Sequence, residues 1–364
     1  MKLKELTSFL DSVIPLSFQE SYDNAGLQVG SPDREINSAL LTLDVTEEVL
    51  DAAVLAGCDV IISHHPVIFG GIKQLSGRNA TERLLLKAIK QDVAIYSAHT
   101  NLDVIEKGVS PKMAEKLGMK SIRPLIPLKN RLLKLVTFVP EDHLEKVRKA
   151  VFEAGAGVIG NYNNCGFAVS GTGSFRAGEE TVPFTGKKGE LHFEKEVRFE
   201  TILFSHMKNR VVKALLGSHP YEEAVYDLYP LENDNINAGM GCIGLLPSAV
   251  KEEDFLQMLR KVFSARGIRH SRVSGRIISK VALCGGAGGQ FISDAIASGA
   301  DAYVTGDIRY HSFFEAGNRI LLADIGHFES EKFATEILYD LIIKKFPTFA
   351  VRFSEVNTNP INYL

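Results

Sequence analysis

Three short segments of the sequence contain histidines, two of them together with carboxylates, and each segment follows a short apolar run. They read SHHP at 63–66, SAHTNLD at 97–103 and GHFESE at 326–331. Imidazole nitrogens and carboxylate oxygens bind divalent ions such as zinc, iron, manganese, nickel and cobalt, and these ligand types do not choose among the metals. The three segments together predict a metal site whose ion is not identified.

The paired histidines at 64 and 65 pose a geometric problem. Successive side chains on a strand point to opposite faces, so a regular strand cannot direct both at one target. We interpret Ser63 as the last strand residue and Pro66 as a residue that helps fix an irregular backbone. A histidine pair taken alone is equally consistent with two buried imidazoles that find hydrogen-bond partners.

His327 and Glu331 are four residues apart, which places their side chains on one face of a helix. Phe333, Ile337 and Leu341 mark the buried stripe of this predicted helix. The pair would then point into a cleft at the strand ends, where open α/β sheets place their sites. An isolated spacing of this kind more often marks a surface or capping role, so the metal prediction depends on all three segments.

Composition indicates an ordinary globular protein. The 364 residues are 45% hydrophobic and 23% charged, and the formal net charge of −3 gives no electrostatic reason to expect nucleic acid or an anionic membrane as a partner. The start, MKLKELTSFLDSVIPL, predicts an amphipathic helix rather than a signal peptide, and no run reaches the roughly 18 apolar residues of a membrane span. We therefore expect a cytoplasmic protein, without a disulfide framework because its four cysteines lie far apart.

Both ends of the chain alternate apolar runs with helical patterns. This alternation indicates an α/β layered fold with a largely parallel sheet. The apolar runs lie at 38–44, 59–63, 93–97, 281–286, 302–307 and 319–324.

Two of these stretches also resemble each other. AVLAGCDVIISHH at 53–65 aligns without a gap on AIASGADAYVTGD at 295–307. The match indicates either a duplicated lobe or simply two helices that stop before buried strands.

The middle of the chain, 129–235, predicts a different architecture. Its order of strand, helix, strand, strand, helix and strand is that of a ferredoxin-like α+β domain. We expect this domain to be inserted between an N-terminal α/β lobe at 1–128 and a C-terminal α/β lobe at 236–364, which completes the metal site.

HHPVIF, SAHTNLD, TGDIRYH and GHFESE, together with SYDNAGLQVG at 21–30, resemble motifs of the NIF-three-like family. Many bacterial members of that family carry the name GTP cyclohydrolase 1 type 2 homologue. The resemblance covers about 1–128 and 236–364, and implies two related α/β lobes that form one NIF-three-like fold and assemble into a ring-shaped homohexamer. The central segment resembles the inserted domain of longer bacterial members, which is related in shape to CutA and PII signalling proteins.

The resemblance implies two divalent metal ions per subunit, held by His64, His65, Asp103, His327 and Glu331. It allots His65 and Asp103 to one ion, His64 and His327 to the other, and Glu331 to both.

No catalytic residue is assigned. His99, Asp307 and His311 are candidates for outer contacts to ligands or substrate, because metal-bound imidazoles and waters need partners that orient them. CGGAGGQ at 284–290 either presents N–H groups to a phosphate or forms a tight strand-to-helix turn. SYDNAGLQVG is expected to form a turn near the cleft mouth, with Asp23 and Asn24 bonded to local backbone.

The expected metal pair favours a metal-dependent hydrolase that acts on a nucleotide-like substrate. Five protein ligands shared by two ions leave coordination positions open, which is typical of catalytic sites, and two ions about 3.5–4 Å apart can activate a water. With GTP, attack would fall on the purine C8 and open the imidazole ring, although the residues alone show no guanine pocket. The alternative is a protein that stores, senses or delivers metal, or a hexameric scaffold without turnover.

Overall fold

The structure, a computed structural model, describes residues 1–234 and 237–364 in full and residues 235 and 236 by their backbone. The chain forms two compact units, one made of Met1–Pro127 and Asn237–Leu364 and the other of Leu128–Ile236. No helix in this described part of the chain is long and apolar enough to cross a membrane.

The helices, in chain order, are α1 Leu3–Val13, α2 Glu47–Leu55, α3 Ala80–Lys90, α4 Thr100–Val104, α5 Val109–Lys116, α6 Leu144–Glu153, α7 Lys208–Ser218, α8 Glu252–Phe263, α9 Ile292–Ala297, α10 His327–Glu331 and α11 Ala334–Lys345. The strands are β1 Gly26–Val29, β2 Ser38–Thr42, β3 Val60–Ser63, β4 Ala94–Ser97, β5 Lys120–Leu128, β6 Leu132–Pro140, β7 Gly166–Arg176, β8 Leu191–Phe204, β9 Tyr226–Leu231, β10 Asn235–Lys251, β11 Arg269–His270, β12 Ile277–Ala287, β13 Ala302–Gly306, β14 Leu321–Asp324 and β15 Ala350–Phe353. The α/β fold expected from the sequence is confirmed.

The first sheet has the order β1-β4-β3-β2-β15. Its strands run parallel except for β1, which is antiparallel to β4 at the edge. Because successive side chains point to opposite faces, Leu40 and Ile61 pack with α2 and α3, whereas Leu41 and Ile62 pack with α1 and α11. Burial on both faces explains why these strands read as continuous apolar runs.

The second sheet has the order β11-β14-β13-β12-β10-β5. Its centre is parallel, and β11 is antiparallel to β14 at one edge. Thus β13 lies between β12 and β14 just as β3 lies between β2 and β4. The two stretches that align in the sequence, 53–65 and 295–307, occupy equivalent positions, which agrees with a duplicated lobe.

The two sheets exchange elements between the two ends of the chain. β15 pairs with β2 and α11 packs on the first sheet, although both follow the second sheet in the sequence. In return β5 joins the second sheet, and Met113 of α5 packs in its core. The exchange unites the two end regions in one compact unit.

The unit Leu128–Ile236 contains a four-stranded antiparallel sheet of order β7-β8-β6-β9. Helices α6 and α7 pack on it through a core that includes Val147, Phe199 and Leu215. The order of its elements agrees with the one expected for 129–235. That this unit is an inserted ferredoxin-like domain stays a prediction.

Glu252, the first residue of α8, is a carboxylate only 1% exposed. It accepts hydrogen bonds from the backbone N–H groups of Ser274, Gly275 and Arg276 at 2.7, 2.7 and 3.1 Å. Burial alone would raise the pKa of Glu252, but these hydrogen bonds lower it below its ordinary value. The ionised side chain therefore fastens the segment before β12 to the start of α8.

We expect Glu252→Gln to lower the free energy of unfolding at pH 7 by about 1.5–3 kcal/mol, because it removes charge-assisted hydrogen bonds. Since the folded-state pKa lies below the unfolded one, the contribution is complete above the unfolded pKa and is lost as the pH falls through the folded pKa. The difference in the free energy of unfolding between wild type and Glu252→Gln, measured by urea denaturation, should therefore be smaller at pH ~3 than at pH 7. The exposed neighbour Glu253→Gln is the control, and an equal difference at both pH values would contradict the assignment.

Candidate metal centre

The compact unit that holds both end regions contains a cleft of about 990 Å³. It lies where polar segments follow the buried strands: His64 and His65 come directly after β3, and His99 lies two residues beyond β4. The C-terminal region supplies α10, with His327 at its first position and Glu331 at its last.

The structure brings together all five side chains expected to bind metal. Oε2 of Glu331 lies 2.9 Å from Nε2 of His65, 2.9 Å from Nε2 of His327 and 3.8 Å from Nε2 of His64. Asp103 Oδ1 lies 3.6 Å from the same nitrogen of His64. Three of the five, His64, His65 and Glu331, bring their ligand atoms within 4.8 Å of one another.

The paired histidines converge because the strand ends where expected. β3 stops at Ser63, and beyond it the N–H groups of His64 and His65 donate to the carbonyls of Thr42 and Leu43. The two ring centroids lie 5.1 Å apart at an interplanar angle of 43°. The backbone after β3 therefore lets two successive side chains approach the same carboxylate.

Each of the three imidazoles is anchored through its other nitrogen. Nδ1 of His64 donates to the Ala98 carbonyl at 2.7 Å. Nδ1 of His65 is 2.7 Å from Asp44 Oδ1, and Nδ1 of His327 is 2.8 Å from Asp307 Oδ2. Outer hydrogen bonds of this kind fix the tautomer and the ring orientation of metal-binding histidines. All three Nε2 atoms are left to face Glu331.

The residues present fit divalent metal ions. His64 Nε2 and Asp103 Oδ1 are fully buried and have no hydrogen-bond partner within the described part of the chain, although buried polar atoms almost always have one. The gathered donors are imidazole nitrogens and carboxylate oxygens, which suit zinc, iron, manganese, nickel or cobalt. Cys284 also lines the cleft, but burial raises the pKa of its thiol, which opposes a thiolate ligand.

The charges of the clustered side chains stabilise one another. Burial would lower the pKa of His65 and of His327, yet hydrogen bonds to the neighbouring carboxylates raise them to about 9 and about 10. Burial would raise the pKa of Glu331, but hydrogen bonds from His327 and His65, together with the electrostatic attraction of His64, hold that pKa well below its ordinary value. Burial raises the pKa of Asp103 to about 7, against the opposing effect of His64.

The nearest neighbours among the five side chains differ from the partners in the expected allocation, which stays a prediction. His64 is the imidazole beside Asp103, at 3.6 Å, and His65 is the one beside His327, with 3.3 Å between their Nε2 atoms. Glu331 lies between the two pairs, as expected. Order along the chain could not reveal this pairing because it depends on how α10 docks against the end of β3.

The three outer candidates have different positions. Asp307 anchors His327, and His99 lines the cleft with its ring 5.4 Å from the rings of both His64 and His65. His311 is exposed, and its ring contacts in the described structure are with Tyr310 and Phe314. A role for His311 stays a prediction.

Two carboxylates that the sequence reading did not assign to the site also take part in it. Asp44 anchors His65 and follows an apolar strand, as Asp307 does, so the same pattern could have found it. Asp23 bonds the Asn24 N–H locally, as expected, but also accepts from His99 Nδ1 at 2.7 Å. Burial opposes its ionisation, but hydrogen bonds from His99 and Thr100 lower the pKa of Asp23 to about 2.

The glycine-rich segment at 284–290 packs against the cluster. Gly285 N–H donates to Ser110 Oγ at 3.1 Å, Gly286 N–H to Ser330 Oγ at 2.9 Å and Gly288 N–H to Thr305 Oγ1 at 2.9 Å. These bonds favour the strand-to-helix turn over a phosphate cradle. Gly286 has φ +64°, and a side-chain carbon there would overlap Glu331 Oε1.

The chain resembles known proteins over nearly its whole length. The family profile Duf34/NIF3 (NGG1p interacting factor 3) matches residues 1–360. A relative from Halalkalibacterium halodurans named "GTP cyclohydrolase 1 type 2 homolog" is 41% identical, with 96% of this chain and 95% of the relative covered, and a Bacillus subtilis protein of the same name is 36% identical, with 99% and 98% covered. The crystal structure of a Bacillus cereus protein related to NIF3 has a TM-score of 0.88 at 36% identity, covering 100% of this chain and 99% of that one.

We expect Gly286→Ala to weaken zinc binding by about 10–100-fold, because the added methyl group must displace Glu331 from the three imidazoles. Zinc titration against a competing chelator measures the loss, and circular dichroism shows whether the fold persists. Gly289→Ala is the control, since an added carbon there meets nothing within 4 Å. Unchanged zinc affinity in a folded Gly286→Ala variant would contradict the role given to Glu331.

Proposed function

The chain belongs to the Duf34/NIF3 family, and from this premise we propose that it is a hydrolase whose cleft holds two divalent metal ions and acts on a nucleotide-like substrate. His64, His65, Asp103, His327 and Glu331 would hold the ions. When bound, the ions supply Lewis-acid polarisation of a substrate oxygen or nitrogen and lower the pKa of a water towards about 7.

The main support for the proposal is the orientation of the three imidazoles. Each of the three imidazoles is anchored at Nδ1 by an acceptor and presents Nε2 to the carboxylate of Glu331. Three imidazoles that are each oriented at Nδ1 and converge at Nε2 on one carboxylate resemble preorganised metal ligands. The unpartnered atoms of His64 and Asp103 support the same reading.

The distances support a specific allocation. We assign His64 and Asp103 to one ion and His65 and His327 to the other, with Glu331 shared. This explains why two histidines are adjacent in the sequence, since each serves a different ion. Five protein ligands leave coordination positions open, as catalytic sites require.

Three carboxylates around the cluster orient its imidazole rings. Asp44 and Asp307 orient the imidazoles and hold Nδ1 protonated, so that Nε2 is the nitrogen that would bind an ion once its own proton is released. Asp23 similarly fixes His99 beside the cluster, where it can contact a substrate. Assembly into a ring-shaped homohexamer and a cytoplasmic location stay predictions.

Single His64→Ala and His65→Ala substitutions should each remove a different ion, because the two residues lie in different ligand pairs. Glu331→Ala should remove both. Elemental analysis of protein purified without added metal should therefore give about half the wild-type metal content for each histidine variant and little for Glu331→Ala. His270→Ala, at an exposed position that does not line the cleft, is the control, and equal full occupancy in both histidine variants would contradict the allocation.

Metal-loaded protein should hydrolyse a member of a panel of nucleotides, nucleosides and phosphoesters, and chelation should abolish the activity. Glu331→Ala should lower the turnover at least as steeply as it lowers metal content, since this carboxylate joins the two ligand pairs. Activity that survives chelation, or that persists in Glu331→Ala, would reject the hydrolase. Inactivity on the panel combined with metal transfer to an apo-protein would favour the metal-delivery alternative.

A further inference from the structure

The cleft around the candidate metal centre has the charge and ring surfaces of a site for an uncharged planar molecule. We infer that its substrate is a neutral flat heterocycle of the nucleobase or nucleoside class and not a nucleoside polyphosphate. This inference rests on the proposed function, because it concerns the substrate of the same site.

The first observation is the sign of the charge in the cleft. In the described lining, the formally charged side chains other than the imidazoles are all carboxylates. They belong to Asp44, Glu47, Glu48, Asp103 and Glu331. Even with two divalent ions in place, five ionised carboxylates exceed the four positive charges of the ions. A polyphosphate, which brings at least one negative charge per phosphate group, would therefore enter an unfavourable potential.

Backbone donors that usually receive phosphate are already compensated at this cleft. The N–H groups of Gly285, Gly286 and Gly288 donate to the hydroxyl groups of serine and threonine side chains. The N-terminus of α2 reaches the cleft, but Glu47 and Glu48 in its first turn offset the partial positive charge of the helix end. Neither feature offers a phosphate the environment of a phosphate-binding loop.

The second observation is a pair of exposed aromatic rings in the cleft. Tyr22 and Phe69 both line it and are 68% and 55% exposed. The rings of Phe69 and His99 meet edge to face, with 5.8 Å between their centroids, so Phe69 lies beside the metal cluster. Aromatic faces that remain open in a cleft can stack on a flat heterocycle whatever its identity.

Hydrogen bonds hold these two aromatic residues in place. Asn24 Nδ2, two residues after Tyr22, donates to the Ile68 carbonyl at 2.6 Å. Gln28 Oε1 accepts from the N–H groups of Val67 and Ile68 at 2.8 and 3.1 Å. The segments that carry the two rings are thus joined to each other by hydrogen bonds, which fixes the positions of Tyr22 and Phe69 in the cleft lining. The motif SYDNAGLQVG thus supplies Tyr22 itself and the Asn24 and Gln28 side chains that join it to the segment before Phe69.

The remaining polar lining is uncharged. Thr46, Thr81 and Gln290 can donate and accept hydrogen bonds at the edges of a heterocycle. The volume of about 990 Å³ is in the upper range of clefts that bind small molecules. A nucleobase or nucleoside would therefore find ring faces, neutral hydrogen-bond partners and, in the proposed function, the two ions within one cleft.

The test compares ligands that differ only in their phosphates. Equilibrium dialysis of the full-length, zinc-loaded protein would use the four common ribonucleosides and their triphosphates, the latter as magnesium complexes so that they do not strip zinc. We expect at least one nucleoside to bind about tenfold or more tightly than its own triphosphate. Triphosphates that bind as tightly as their nucleosides, or the absence of nucleoside binding at millimolar concentration, would overturn the inference.

Substitutions of Tyr22 and Phe69 test whether their rings stack on the ligand. Tyr22→Ala and Phe69→Ala should each weaken nucleoside binding about tenfold, and Tyr22→Phe, which keeps the ring, should retain it. Tyr310→Ala is the matched control, because Tyr310 is similarly exposed, at 72%, but does not line this cleft. Unchanged binding in both alanine variants would overturn the stacking role.

A charge substitution tests the electrostatic argument separately. Glu48→Arg adds a cation at the cleft without touching a proposed metal ligand, and should tighten triphosphate binding several-fold while leaving nucleoside binding unchanged. The affinity of Glu48→Gln for triphosphates should lie between those of Glu48→Arg and wild type. Equal effects on both ligand classes would reject charge as the discriminating factor.

The outcomes separate the inference from the proposed function. Preferential nucleoside binding without turnover rejects the hydrolase and supports the inference about the ligand. Preferential hydrolysis of triphosphates supports the hydrolase and overturns the inference.

Discussion

The carboxylate of Glu331 is the interaction on which the rest of this structure depends. Only 3% of the residue is exposed, and a buried charge is costly unless partners compensate it. Its compensation comes from His64 and His65, which belong to the other end of the chain, and from His327 one helical turn away. The fold must therefore hold two distant parts of the sequence in register to within about a hydrogen-bond length.

The exchange of elements between the two sheets supplies that register. α10 follows β14 of the second sheet and leads directly into α11, which packs on the first sheet. Glu331 thus lies between two packed elements rather than at the end of a free helix. Ser330 adds a local constraint, because its hydroxyl group accepts from Gly286 N–H and donates to the His327 carbonyl.

The same arrangement contributes to the acidic character of the site. Asp44, which lines the cleft, and Asp307 accept from Nδ1 of His65 and His327. The carboxylates that orient the imidazoles also make the local electrostatic potential more negative, which is unfavourable for polyanions. The proposed preference for a substrate without phosphates follows from this potential and from the exposed rings of Tyr22 and Phe69.

Much of the fold, and the set of side chains that gather around Glu331, could be predicted from the sequence alone. Apolar runs bounded by helical patterns located β2, β3, β4, β13 and β14, since strands buried on both faces must be apolar throughout. The histidines and carboxylates stood out because they interrupt this pattern at the strand ends, where such residues serve chemistry rather than packing. The motifs then indicated the family.

Only the tertiary structure decided how these residues combine. Spacing along the chain could not show that His64 lies beside Asp103 and His65 beside His327, because these distances depend on the docking of α10 against a segment more than two hundred residues away. Nor could it show that the Ala98 carbonyl anchors His64, since a backbone acceptor leaves no trace in residue type. The sequence determined which groups are present, and long-range packing decided which atoms meet.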